Sequence, residues 1–169
     1  MKSILISIQP EWCALILNGF KTFEVRKSKP KIDTPFEGMI YCSKGSKKKL
    51  WKSATHYYCD EKSHNAFDIC LSGKVICKFV CNKIISGHLE KPLRDFVLKN
   101  AYLTFDDIEK YGKGKPLHYW HISYINTYNE PKELNRFQKA AYDYGHIHLP
   151  PETLNRPPQS WCYVEELKE

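Results

Sequence analysis

Short apolar runs rich in β-branched or alternating residues recur along this chain, all but the last followed closely by a Gly or Pro, and none is followed by the long helical stretch that a βαβ unit needs. They are "SILISI" (Ser3 to Ile8), "KTFEVRK" (Lys21 to Lys27), "GMIYCSK" (Gly38 to Lys44), "GKVICKFVCNKII" (Gly73 to Ile85), "LHYWHISYINTY" (Leu117 to Tyr128) and "SWCYVEEL" (Ser160 to Leu167). Runs of this length and period are strands. About five or six strands with helices confined to the connections predict an α+β fold built on a closed or strongly bent β-barrel. At 169 residues the chain suits one domain, residues 1–169, with a single core.

The connections carry their own punctuation. "PEWCALILNG" begins with Pro10 in a first helical turn and stops at Gly19. Pro92 to Ala101 reads as a helix, as does "TFDDIEKYG", where Thr104 is an N-cap with Asp107 three residues on and Gly112 is the stop. "PKELNRFQKAAYDYG" (Pro131 to Gly145) predicts a short amphipathic helix. Residues 45–72 are polar, begin with a lysine run and predict an irregular insertion, with at most one helical patch near Leu50 to Tyr58.

Charge is concentrated. Ten cations and three carboxylates lie between Lys21 and Lys52, so this segment alone accounts for the net charge of +7, and the rest of the chain sums to zero. An excess so placed suits a polyanion or an anionic ligand, with a solvated lysine-rich face as the plain alternative. The seven cysteines show no C-x-x-C pair and mostly sit inside apolar runs, which predicts reduced, buried thiols. No apolar run reaches membrane-spanning length and the N-terminus has no signal-peptide pattern, so a cytoplasmic protein without a membrane partner is expected.

One stretch concentrates the chemistry. In "GFKTFEVR" (Gly19 to Arg26) the helix stop delivers Lys21 to the start of a strand, and the strand period sends Glu24 and Arg26 to one face and Phe23 and Val25 to the other. A carboxylate between two cations can orient them for a phosphate, accept from a cytosine amino group, or act as a base. It can also be a plain ion pair on a sheet face.

This stretch resembles the G-x-K-x-x-E-x-R signature of the ASCH domain family, related to the PUA fold. The opening "ISIQPEWCALIL", the strand "GKVICKFVC", and "YWHISYINTYNEPKEL" with "RPPQSWCYVE" are similar to ASCH proteins of phages and their bacterial hosts. The resemblance implies a small β-barrel that binds RNA or a modified nucleotide in a basic cleft. It also implies an alternative, a hydrolase acting on RNA or on N4-acetylcytidine. The amidohydrolases of the family use a lysine, a threonine three residues later and a glutamate on a later strand. Lys21 matches the lysine, Glu24 stands where the threonine would be, and the strand from Gly73 to Ile85 contains lysines but no Glu.

The candidate ligand-binding residues are therefore Lys21, Glu24 and Arg26, joined by Gln9, Ser43, Lys44, Gln159 and Trp161 at strand ends. Lys21 and Glu24 would be catalytic if the protein is an enzyme. Trp12, Tyr41, Trp120 and Tyr124 are further aromatics, divided between core and stacking roles. His118 with His121 and His146 with His148 lack a carboxylate or cysteine at metal-site spacing, so no metal or cofactor is expected.

Overall fold

The computed structural model describes residues 3–45, 47–140, 143–144, 147–148 and 151–167, the two dipeptides by backbone alone. In chain order the elements are β1 (Ser3–Ile8), α1 (Pro10–Leu17), β2 (Phe23–Arg26), β3 (Phe36–Cys42), β4 (Lys49–Lys52), β5 (Tyr57–Asp60), β6 (Ile69–Cys70) and β7 (Val75–Gly87). There follow α2 (Leu93–Ala101), α3 (Phe105–Gly112), β8 (Leu117–Lys132), a 3-10 turn (Leu134–Arg136), β9 (Phe137–Lys139), β10 (Asp143–Tyr144), β11 (Ile147–His148) and β12 (Trp161–Glu166). A seven-stranded mixed sheet runs in the order β2-β8-β7-β3-β1-β12-β9, with β1 and β3 parallel and the other pairs antiparallel.

The expected barrel does not form. Closure would require the sheet's outer strands to pair, but β2 and β9 remain edges, four and three residues long. Each edge is occupied locally instead. The Phe23 carbonyl of β2 accepts from the Lys21 ammonium, and Gln138 of β9 bridges to Thr153. Edge groups satisfied by a side chain and a loop no longer call for another strand. The long antiparallel pair β7–β8 shifts register in several places, which bends the sheet without closing it.

Two further expectations are corrected. Residues 45–72 are not irregular: β4, β5 and β6 form a separate three-stranded antiparallel sheet, with Leu50 fully buried on its inner face. The lysine run masked a two-residue period that only four positions express. The helix expected from Pro131 to Gly145 is absent, because β8 continues through Lys132 and only one 3-10 turn precedes β9. Residues 141–142 and 145 of that stretch lie outside the described residues.

The helices elsewhere follow their caps. Gly19 takes φ 80° after α1, a left-handed turn that favours glycine. Thr104 and Asp107 close a reciprocal capping box at the start of α3. One apolar cluster lies between the large sheet, α1 and the small sheet, with Ile4, Ile40, Leu50 and Trp120 at its centre. Another joins Phe23 and Val25 of β2 to Val97, Leu98 and Ile108 of α2 and α3. Thus the outward side chains of β2 anchor the two helices, and its other face is free to carry the polar signature.

Close packing within the sheet yields a first test. A Cβ on Gly38 of β3 would lie 2.5 Å from Cζ of Phe79, its fully buried neighbour on β7. Gly38→Ala should cost about 1–3 kcal/mol through overpacking. A denaturation midpoint unchanged from wild type would show that the Phe79 ring can move aside.

Candidate functional site

Lys21, Glu24 and Arg26 meet. The turn through Gly19 is closed by the amides of Phe20 and Lys21, both donating to the Leu15 carbonyl, which sets the Lys21 side chain beside β2. Its ammonium donates to the carbonyls of Phe23 at 2.8 Å and Ala101 at 2.7 Å and stands 3.4 Å from Glu24 Oε2. On the other side of the carboxylate, Arg26 Nη2 is 3.0 Å from Glu24 Oε1 and donates to the Ser7 carbonyl at 2.7 Å. Arg26 Nη1 faces the carbonyl and hydroxyl of Ser160. All three residues are buried, with 3%, 8% and 7% of their surface exposed.

The cations are thus committed to backbone carbonyls as well as to the carboxylate. Two of the three Lys21 ammonium hydrogens go to carbonyls and the Glu24 carboxylate stands within ion-pair distance, whereas Arg26 Nε is buried without a hydrogen-bond partner. Burial pushes its pKa below the ordinary lysine range; Glu24 opposes that shift and Arg26 adds to it. The ammonium also lies 5.1 Å from the centre of the Trp12 ring.

The cluster lines a cleft of about 350 Å³. Ser7 and Gln9 at the end of β1, Trp12 of α1, and Gln159 before β12 form its other near walls, and α3 closes it with Asp107, Ile108 and Tyr111. The lining holds two cations (Lys21, Arg26) and two carboxylates (Glu24, Asp107), so its charges balance, and the excess positive charge lies on neighbouring loops. Asp107 is held below the usual carboxylate range by the Thr104 amide and hydroxyl. Burial pushes the Tyr111 phenol up, so its hydroxyl remains a donor at neutral pH. Lys27 covers one face of the Tyr111 ring at 4.8 Å.

Of the other residues expected from the sequence, Gln9 and Gln159 line the cleft, whereas Ser43, Lys44 and Trp161 do not. The Ser43 hydroxyl donates to Gln9 Oε1 at 3.0 Å and so orients a lining side chain. Lys44 lies exposed along Gly73. Trp161 donates to the Ser28 hydroxyl and packs near Trp120. Tyr41 and Trp120 are core, and Tyr124 is exposed. His118 meets the Ser86 hydroxyl and His121 packs on Phe23, and burial lowers the pKa of both. The His146–His148 pair lies outside the described side chains. Among the described residues no group of three His, Cys, Asp or Glu is arranged to hold a metal, and no helix is long and apolar enough to cross a membrane.

Sequence reasoning did not assign Asp107 and Tyr111 to the site. Their helix was legible from its capping box, but which strand α3 covers depends on the docking of α2 and α3 over β2, a long-range contact with no local signal.

No family model matches the chain, and no curated protein matches it. Solved structures do. A crystal structure of ASCH from Zymomonas mobilis aligns over 96% of this chain and 87% of its own, with 17% identity and a TM-score of 0.54. Two single-substitution variants of that protein align with TM-scores of 0.55 and 0.52, at 17% and 16% identity, covering 96% and 98% of this chain and 88% and 91% of their own. At this identity the likeness is one of fold. The chain has the fold of the ASCH domain, and the stretch resembling that family's signature, Gly19 to Arg26, contributes its Lys, Glu and Arg to the wall of the cleft.

Proposed function

We propose that the cleft binds a ribonucleotide, free or within RNA, with an amino-bearing base such as cytosine facing Glu24. The observation that carries this reading is the Glu24 carboxylate held on the cleft wall between Lys21 and Arg26, each of which is also engaged by backbone carbonyls. Cations so engaged fix the position of the carboxylate at the cleft wall. Each Glu24 oxygen is held by one cation, and a carboxylate has about four acceptor positions, so acceptor capacity remains for an exocyclic amino group. A cleft of about 350 Å³ falls in the range for one small ligand. Trp12 and Tyr111 both line the cleft and supply the aromatic surface on which a base could stack.

Hydrolysis of a modified base at the same place is the second reading, favoured by the lowered pKa of Lys21. It lacks an assembled nucleophile. Ser7 and Tyr111 supply the only hydroxyls among the described lining residues, and the Ser7 hydroxyl donates to the Pro158 carbonyl at 2.7 Å instead of to Lys21 or Glu24.

The test varies the ligand, which leaves the fold untouched. In calorimetric titrations cytidine monophosphate should bind at least about tenfold more tightly than uridine monophosphate, whose O4 would face the carboxylate. Equal affinities would sink the base assignment, and release of acetate from N4-acetylcytidine would move the reading to hydrolysis.

A further inference from the structure

The small sheet has an inner and an outer face. On the inner side Leu50, paired with Cys59, is fully buried, and Asn18, the residue that caps the end of α1, clamps Tyr57 by both its amide, at 3.1 Å, and its carbonyl, at 2.7 Å. The small sheet is therefore fastened to the helix that brings Trp12 to the cleft. The strand period places Lys49 and Trp51 of β4 on the outer face, opposite Asp60 and Tyr58 of β5. Trp51 is fixed by its indole N–H donating to the Asp60 carbonyl at 3.1 Å. Tyr58 is fixed by a stacked His64 ring, centroids 4.1 Å apart, and by its hydroxyl donating to Asp68. Beside them Phe67 is 91% exposed.

Charge completes the pattern. Lys44, Lys47, Lys48, Lys49 and Lys52 take part in none of the ion pairs among the described residues, as is also true of lysines such as Lys29, Lys31, Lys62 and Lys83; their clustering within nine residues sets them apart. Of the three carboxylates in residues 44–72, Asp60 is engaged by His64 and Asp68 by Tyr58. The Gln9–Ser43 hydrogen bond links the mouth of the cleft to the start of this lysine run.

We infer that the outer face of the small sheet is a second binding surface, a stacking platform with a lysine margin for single-stranded RNA that continues from the cleft. Fixed aromatic rings and unpaired cations side by side are what a strand needs, since bases stack and phosphates take the charge. The choice of RNA rests on the proposed function; the stacking and charge arguments do not.

Fluorescence anisotropy with the full chain tests this. An oligoribonucleotide of about twelve residues should bind at least about tenfold more tightly than a mononucleotide. Lys48→Glu with Lys49→Glu, both exposed, should weaken the oligomer about tenfold and make its salt dependence shallower by about 0.7 for each phosphate no longer neutralised, with mononucleotide affinity unchanged. Trp51→Ala should act in the same direction, and Trp51→Phe should restore binding because a ring returns. Oligomer affinity untouched by the paired charge reversal overturns the inference, as does equal binding of an abasic oligomer of the same length, which would show that charge alone is read. A chain that binds no mononucleotide, yet releases the oligomer on charge reversal, would refute the cleft reading and leave the platform standing.

Discussion

Glu24→Ala should destabilise the protein by about 3–5 kcal/mol, because it strips the counter-charge from two buried cations at once. Lys21 is 3% exposed and Arg26 7%, so both cations depend on the carboxylate more than surface groups would. Glu24→Gln should cost less, since an amide oxygen can still accept from Arg26 where Oε1 does now. The cluster also differs from a bare ion pair. Replacing all three residues with apolar ones would leave the carbonyls of Phe23, Ala101, Ser7 and Ser160 without these donors, at about 1–3 kcal/mol for each that stays buried and unmet. The apolar triple variant should therefore be less stable than wild type, unlike buried triads that tolerate such replacement. Urea denaturation at constant m-value measures both effects. A loss below about 1 kcal/mol in Glu24→Ala would mean that the cluster behaves as a solvated surface pair.

The cluster is structural and functional for the same reason. Lys21 satisfies an edge carbonyl of β2 and the last carbonyl of α2, so the group that orients Glu24 also helps to finish the sheet and to dock the helix. That double duty was legible in part. Gly19, Lys21, Glu24 and Arg26 could be placed by a helix stop and a two-residue period, both local rules, and the structure brings their side chains together as those rules require. Closure of the sheet is not local. It depends on whether β2 finds β9, and no residue in either strand reports that Lys21 and Thr153 occupy the edges first. The small sheet was hidden for a different reason: its strands are two to four residues long, too short for alternation to stand out against a lysine run. The strand ends show the same limit. Gln9 and Gln159 reach the cleft, whereas Ser43 acts through Gln9 and Trp161 turns to Ser28. Spacing fixes where a strand ends, but only the crossing of neighbouring strands decides what its last side chain faces.

Stability should also fall steeply above pH 9, through thiols that no reaction need involve. Burial pushes Cys77 and Cys81 up to about 12 from the ordinary 9.0, and Cys162 up to about 11. In the unfolded chain these thiols ionise near pH 9, while in the folded protein they stay protonated. Between pH 9 and 12 the folded state therefore binds more protons, and each such group removes about 1.4 kcal/mol of stability per pH unit. At pH 10.5 Cys77 and Cys81 alone account for a loss on the order of 4 kcal/mol relative to neutral pH. Lys21 works the other way, because burial lowers its folded pKa from 10.5 and stability rises as it deprotonates in the folded state. Several thiols outweigh one amine, so the net change is a loss. Urea midpoints at pH 7.5 and 10.5 under reducing conditions measure it, and Cys77→Ala should remove about half of the two-thiol slope. Equal midpoints at the two pH values would contradict the prediction. Cys13 of α1 shares that core and is likewise raised by burial. Because the folded thiols stay protonated, the loss acts through the unfolded chain, and ligand affinity should hold until the protein unfolds.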